Sequence, residues 1–186
     1  MTMRFLRTIW FIIVLVPCVC QGTNHLWSNR LPNHITTRPN NHIASSASGA
    51  IKVYRGRSNY SSDVICTIRD GRVYDKNSVY SSDVLLTLRD GKIYRGNSVY
   101  TSDVLCTLRD GRVYKGTSTY TSDILFTLRD GRIYKGTSTY SSDILFTLRD
   151  GRIYKGTSTY SSDILFHFDT PPSIGELVAV ILATGM

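Results

Sequence analysis

Between residues 51 and 170, apolar and β-branched residues come in short runs separated by turn-forming residues, and the pattern returns every 20 residues. In the fourth unit, Asp123 to Leu128 is a β-prone run, Arg129-Asp130-Gly131-Arg132 follows, and Ile133-Tyr134-Lys135-Gly136 is a second run. Asp-Gly between two such runs signals a two-residue hairpin, because both central residues of a type I′ turn take positive φ. That turn sets Arg129 opposite Arg132, Leu128 opposite Ile133 and Thr127 opposite Tyr134. Strict alternation then predicts a core face of Ile124, Phe126, Leu128 and Ile133. The opposite face, with Leu125, Thr127, Arg129, Arg132 and Tyr134, is more polar. The Gly-Thr-Ser-Thr-Tyr-Ser-Ser stretch has turn composition and connects one hairpin to the next.

Asp-Gly tips occur five times, from Asp70-Gly71 to Asp150-Gly151. The block therefore opens on a lone second strand, Ile51 to Arg55, and ends on a lone first strand, Asp163 to Phe168. Pairing these two strands closes a ring of six hairpins and protects both exposed edges. An open β-solenoid is the alternative, and it calls for capping repeats at its ends. The carboxy terminus offers one candidate cap. After Pro171-Pro172, Ser173 and Glu176 form a capping box ahead of the apolar run Leu177 to Ala183, and Gly185 is placed to end the helix. A helix of about 12 residues spans about 18 Å, too short for a bilayer, so its all-round apolarity predicts a plug or lid on the ring. Membrane or partner docking is the second reading.

Ahead of the repeats, Arg4 and Arg7 precede an apolar core from Ile9 to Val16 that is broken by Pro17, the form of a secretory signal over residues 1 to 20. Residues 21 to 50 are rich in Asn, Ser and Thr without apolar periodicity and read as a flexible polar linker. The expected organisation is thus signal, linker, a β domain over 51 to 170, and a helical segment over 171 to 186. The expected location is secreted, periplasmic or cell-surface, with no transmembrane span after signal removal. Beyond the signal only Cys66 and Cys106 remain, which is no disulfide framework. Their equivalents in other repeats are Leu86, Phe126, Phe146 and Phe166, so they read as small buried hydrophobes, with a bridge between them as the alternative in a tight ring.

Three columns run through the repeats. Tyr54, Tyr74, Tyr94, Tyr114, Tyr134 and Tyr154 make the first; Tyr60, Tyr80, Tyr100, Tyr120, Tyr140 and Tyr160 the second; Asp63, Asp83, Asp103, Asp123, Asp143 and Asp163 the third. The core Gly96-Asn97-Ser98-Val99-Tyr100-Thr101-Ser102-Asp103-Val104, the Asp-Gly-x-Ile-Tyr link and the short apolar terminal helix together resemble the bacterial β-flower proteins, described as four-fold and five-fold. The resemblance covers residue 51 to about residue 184. It implies β-hairpin petals arranged radially about an axis, and it brings no activity, since the family is one of unknown function. Six repeats exceed its four or five.

Net charge is +8, from 22 Lys and Arg against 14 acidic residues, and Glu176 is the single glutamate. Mixed charge with 41% apolar residues excludes a highly charged disordered chain, and the Gly, Tyr, Ser and Thr content disfavours a coiled coil. Nucleophilic catalysis needs a base beside Ser or Cys, and the repeats hold no histidine before His167. Residues 131 to 146 and 151 to 166 are identical, so each aspartate meets the same surroundings, whereas acid–base pairs need different ones. We therefore expect no enzyme, no catalytic residue, no metal site and no cofactor; a hydrolase using His167 or the Asp column is the minor alternative. The Asp column could offer oxygen ligands to a hard cation such as Ca²⁺, but aspartates after two serines more commonly accept local backbone hydrogen bonds. Arginine pairs beside the tips, Arg69 with Arg72 through Arg149 with Arg152, suggest a cationic rim for an anionic polymer, offset by the aspartates between them. The second Tyr column and the Asp column form a candidate multivalent glycan site; tyrosines packed in the core are the competing reading. The expected task is an exported structural or binding module. Its partner is a glycan, another anionic polymer or a protein, with nucleic acid disfavoured.

Overall fold

A computed structural model describes residues 49 to 186; the expected signal over residues 1 to 20 and nearly all of the expected linker lie outside the described residues. Twelve strands follow one another: β1 (Ile51–Arg55), β2 (Val64–Arg69), β3 (Arg72–Asp75), β4 (Val84–Arg89), β5 (Lys92–Arg95), β6 (Val104–Arg109), β7 (Arg112–Lys115), β8 (Ile124–Arg129), β9 (Arg132–Lys135), β10 (Ile144–Arg149), β11 (Arg152–Lys155) and β12 (Ile164–Phe168). Each pairs antiparallel with its chain neighbours, and β1 pairs with β12 through Val53 opposite Phe168 and Arg55 opposite Phe166, so the sheet closes into a barrel. Closure excludes the open solenoid. Among the described residues no edge strand is left to recruit another chain.

At every tip the Asp and Gly both take positive φ, for example +51° at Asp70 and +71° at Gly71, as the type I′ turn requires. The register is the expected one: Arg129 faces Arg132, Leu128 faces Ile133 and Thr127 faces Tyr134. All tips lie at one end of the barrel. The opposite end carries the connections, each ending in a single 3-10 turn such as Ser61–Asp63.

The alternation expected within each first strand is corrected by a β-bulge. On β10, Ile144 pairs with Tyr134 while Phe146 pairs with Ile133, so two residues oppose one between them. The same shift occurs where β8 meets β7, with Ile124 opposite Tyr114 and Phe126 opposite Val113. The bulge swaps the faces of its first two residues. Ile124 leaves the expected core face and joins the tyrosine side, and Leu125 packs against the core. The tyrosine side is consequently not the polar surface that alternation predicts: Tyr134 is 1% exposed against Ile144, and Tyr74, Tyr94, Tyr114 and Tyr154 are buried too.

Helix α1 (Ile174–Thr184) begins at the tip end, where Asp169 bonds back to Lys52 at the start of β1. Ser173 accepts from the Glu176 backbone, the Glu176 carboxylate accepts from the Ser173 backbone, and Gly185 ends the helix at φ +67°, all as the sequence predicts. Seven consecutive residues, Gly175 to Ile181, are buried. At about 100° per residue, seven positions cover every azimuth, so the barrel encloses the helix and does not merely carry it on one face. Twelve strands at about 4.8 Å give a circumference of about 58 Å and a diameter of at least about 18 Å, wider once the strands tilt, and a helix with its side chains is about 10–12 Å across. α1 is the plug. Among the described residues no helix is long and apolar enough to cross a membrane.

The lumen is graded to receive it. The inward column reads Cys66, Leu86, Cys106, then Phe126, Phe146, Phe166, and α1 packs most closely against β2, β3 and β4, where the column is smaller. A Cβ on Gly175 would come within 2.9 Å of the Leu88 side chain, a measure of that approach. Cys66 and Cys106 are both free and buried, which fits their reading as small hydrophobes. Burial, joined at Cys66 by the nearby Asp75 charge, pushes both thiols up to about 12. We expect neither thiol to react with a disulfide reagent at pH 8 while the barrel is folded, and both to react at once in denaturant; a thiol count with and without guanidinium reads this directly. An unfolded thiol ionises near 9, so this contribution to stability is complete below that pH and is lost as pH climbs toward 12.

Candidate functional site

The connection end is built from the repeat's polar residues, and one hydrogen-bond pattern recurs from unit to unit. Ser78 accepts from the Tyr80 backbone N–H at 3.2 Å and donates to Asp83 at 2.5 Å, while the Asp83 N–H returns to the Tyr80 carbonyl at 3.0 Å. Ser98 with Asp103, Ser118 with Asp123, and Ser158 with Asp163 repeat this at 2.5 Å, and Ser58 binds Asp63 in the same way. Bonds from Ser78 and then Ser82 hold the Asp83 carboxyl below its ordinary value of 3.8. The acceptor capacity of these aspartates is thus directed into their own loops. Among the described residues no three His, Cys, Asp or Glu side chains are grouped to hold a metal.

Bracing those loops fixes the tyrosine between them. Tyr60, Tyr80, Tyr100, Tyr120, Tyr140 and Tyr160 are 57–76% exposed and ring the connection end. The two tyrosine columns therefore part company: the first packs on the outer wall beneath the loops, and the second faces solvent. The competing reading of core tyrosines holds for the first alone.

Below the ring, Thr67, Thr87, Thr107, Thr127 and Thr147 each donate a hydroxyl to the carbonyl nine residues on, at 2.6–2.7 Å, tying strand to loop. In the last repeat this position is His167. Its Nδ1 donates to the Gly56 carbonyl at 2.9 Å, so the imidazole performs the threonine's task across the closing seam. Nε2 lies 3.0 Å from the Asn59 side-chain oxygen, and the ring stacks on Tyr54 at 5.3 Å.

The geometry of six hairpins, closed by the first and last strands and plugged by the terminal helix, agrees with a model for six-fold β-flower proteins that matches residues 53 to 181. The chain belongs to that family. The four-fold and five-fold resemblance is thereby corrected in its count, and six petals are the family's own number. No curated protein and no solved structure matches the chain. Membership gives the β-flower its shape and brings no activity with it.

At the other end of the β-flower, one arginine of each pair in the cationic rim expected at the tips is matched by a carboxylate where it stands. Arg69, Arg89, Arg109, Arg129 and Arg149 each lie 3.3–3.5 Å from the aspartate that follows them. Arg72 does not point from the tip at all: its Nε donates to the Asn97 side chain at 3.0 Å, across the outer wall toward the connection end. What sequence reasoning missed is the joining of His167 and Asn59, separated by 108 residues; the signal available was that each departs from its repeat column.

Proposed function

We propose that this β-flower is an exported, non-enzymatic binding module that holds a multivalent glycan against its ring of exposed tyrosines. The observation that carries the reading is the ring itself, six large amphipathic side chains turned to solvent on braced loops. Tyrosine suits this work because its flat apolar face stacks on a sugar while its hydroxyl stays hydrated. Rigid presentation lowers the ordering cost of binding. Neighbouring tyrosines stand two strands apart, about 10 Å at the usual strand spacing, so an extended oligosaccharide and not a single sugar would engage several. Export rests on the Arg4 to Val16 segment. The absence of enzymatic activity rests on near-identical repeats whose aspartates are spent on their own loops. Glycan is favoured over anionic polymer because the first arginine of each tip pair already has a carboxylate beside it.

A glycan-array screen of the full chain, followed by calorimetry on the best hit at low and high salt, tests the proposal. We expect an oligosaccharide ligand whose affinity changes little with salt. An affinity that falls steeply as salt rises would transfer the reading to a charged polymer.

A further inference from the structure

An outward-opening cleft of about 290 Å³ lies at the seam where the last repeat meets the first, lined by Arg57, Asn59, Arg152, Thr159, Ser161 and His167 over a floor of Tyr154 and Ile164. Three of these residues break the repeat. Arg57 stands where the other units have Asn77, Asn97, Thr117, Thr137 and Thr157; Asn59 where they have Val or Thr; His167 where they have Thr. In a chain this repetitive, ring closure brings the three exceptions to one place.

The geometry points to a binding site here for a single compact oxyanion, the carboxylate, sulfate or phosphate group of a small ligand. In the regular wall, Arg72 reaches two strands round the barrel and donates to Asn97, a neutral acceptor. Carried to the seam, the same path takes Arg152 toward Arg57. Two guanidiniums thus line one cleft, and none of the lining residues is acidic. Among the described residues neither arginine has an ion-pair partner. Like charges brought together without a carboxylate are relieved by a bound anion, which the planar guanidinium grips with paired N–H groups. His167 is a positioning residue: with Nδ1 on the Gly56 carbonyl, its Nε2 meets the Asn59 side-chain amide at 3.0 Å and fixes that side chain at the cleft wall. The Thr159 and Ser161 hydroxyls supply further donors. The volume is at the small end of ligand pockets, suited to one small group and not to a polymer.

None of the lining residues belongs to the tyrosine ring, although Asn59 adjoins Tyr60 and Thr159 and Ser161 flank Tyr160. Calorimetry on the full chain with inorganic phosphate, at constant ionic strength maintained with chloride, is expected to show one site per chain. Arg57→Asn, which installs the residue of repeats two and three, should weaken it about tenfold or more while leaving the melting temperature unchanged or higher. His167→Thr restores the regular threonine and should weaken it less. Arg112→Asn, at the place in a regular repeat that Arg152 occupies at the seam, should leave it intact. Glucuronate and glucose, run in parallel, separate a sugar carboxylate from free phosphate as the source: glucuronate binding tighter than phosphate assigns the former, the reverse order the latter, and glucose should not bind. The inference is overturned by absence of binding at millimolar phosphate and glucuronate, by about six equal sites, or by an Arg57→Asn chain that binds as well as the parent.

Discussion

Replacing Val178 with aspartate is expected to unfold the barrel, whereas Val178→Ala should cost about 2 kcal/mol and leave it folded. Val178 is fully buried midway through the run of seven enclosed residues, and the core around it contains helix and strand side chains in one cluster. A carboxylate there has no water and no cationic neighbour in that apolar cluster, so it must be buried charged or be protonated, and either costs several kcal/mol. A domain of this size has about 5–15 kcal/mol in total, so the loss takes most of it. Expelling the helix offers no escape. It would empty a lumen lined by Ile68, Ile93, Ile133, Ile153 and Phe166, exposing that whole surface to water. Guanidinium denaturation with far-UV circular dichroism measures both variants. A Val178→Asp chain that kept the parent's unfolding free energy to within about 1 kcal/mol would show the helix to be a dispensable lid.

Most of this architecture was legible because the signals were local and repeated. Asp-Gly between β-prone runs gave the tips, and counting five tips for six units exposed the two unpaired strands that close the ring. The capping box and Gly185 gave both ends of α1. The faces of the strands were legible only in part. Period-two alternation assumes an unbroken ladder, and the bulge at Leu125 and Leu145 inserts a residue that no side-chain type announces, so Ile124 changed sides and the first tyrosine column became a buried outer layer. The helix's place inside the barrel was harder still. Its all-round apolarity said that it must be covered, but enclosure depends on barrel diameter, which follows from closure and strand number. The step from Cys66, Leu86 and Cys106 to three phenylalanines was the available hint. For the candidate site, the columns were visible as columns, yet sequence alone could not say that the second tyrosine faces water while the first does not. The seam cleft was illegible for a different reason: Arg57, Asn59 and His167 look like unrelated lapses in a repeat until the first and last strands pair.

If the tyrosine ring works by avidity, changing Tyr60, Tyr100 and Tyr140 together to alanine should weaken a ring-spanning oligosaccharide by about a hundredfold or more, far beyond a halving of sites. Each tyrosine alone offers one stacked face, and single sites of that kind are weak. Their joint strength comes from the second and third contacts being intramolecular, at an effective concentration set by the spacing. Removing alternate tyrosines doubles that spacing from about 10 to about 20 Å, so a ligand matched to neighbouring positions loses its next contact everywhere on the ring. A variant lacking only Tyr100 interrupts the ring once and leaves five consecutive positions, so it should weaken binding only a few fold. The same substitutions should change stability little, because these side chains are largely exposed and the serine–aspartate braces that hold their loops do not use the ring. Calorimetry and a melting curve on the single and triple variants make the comparison. An unchanged dissociation constant with half the stoichiometry would mean six independent sites and no spanning ligand, and the multivalent reading would then be withdrawn.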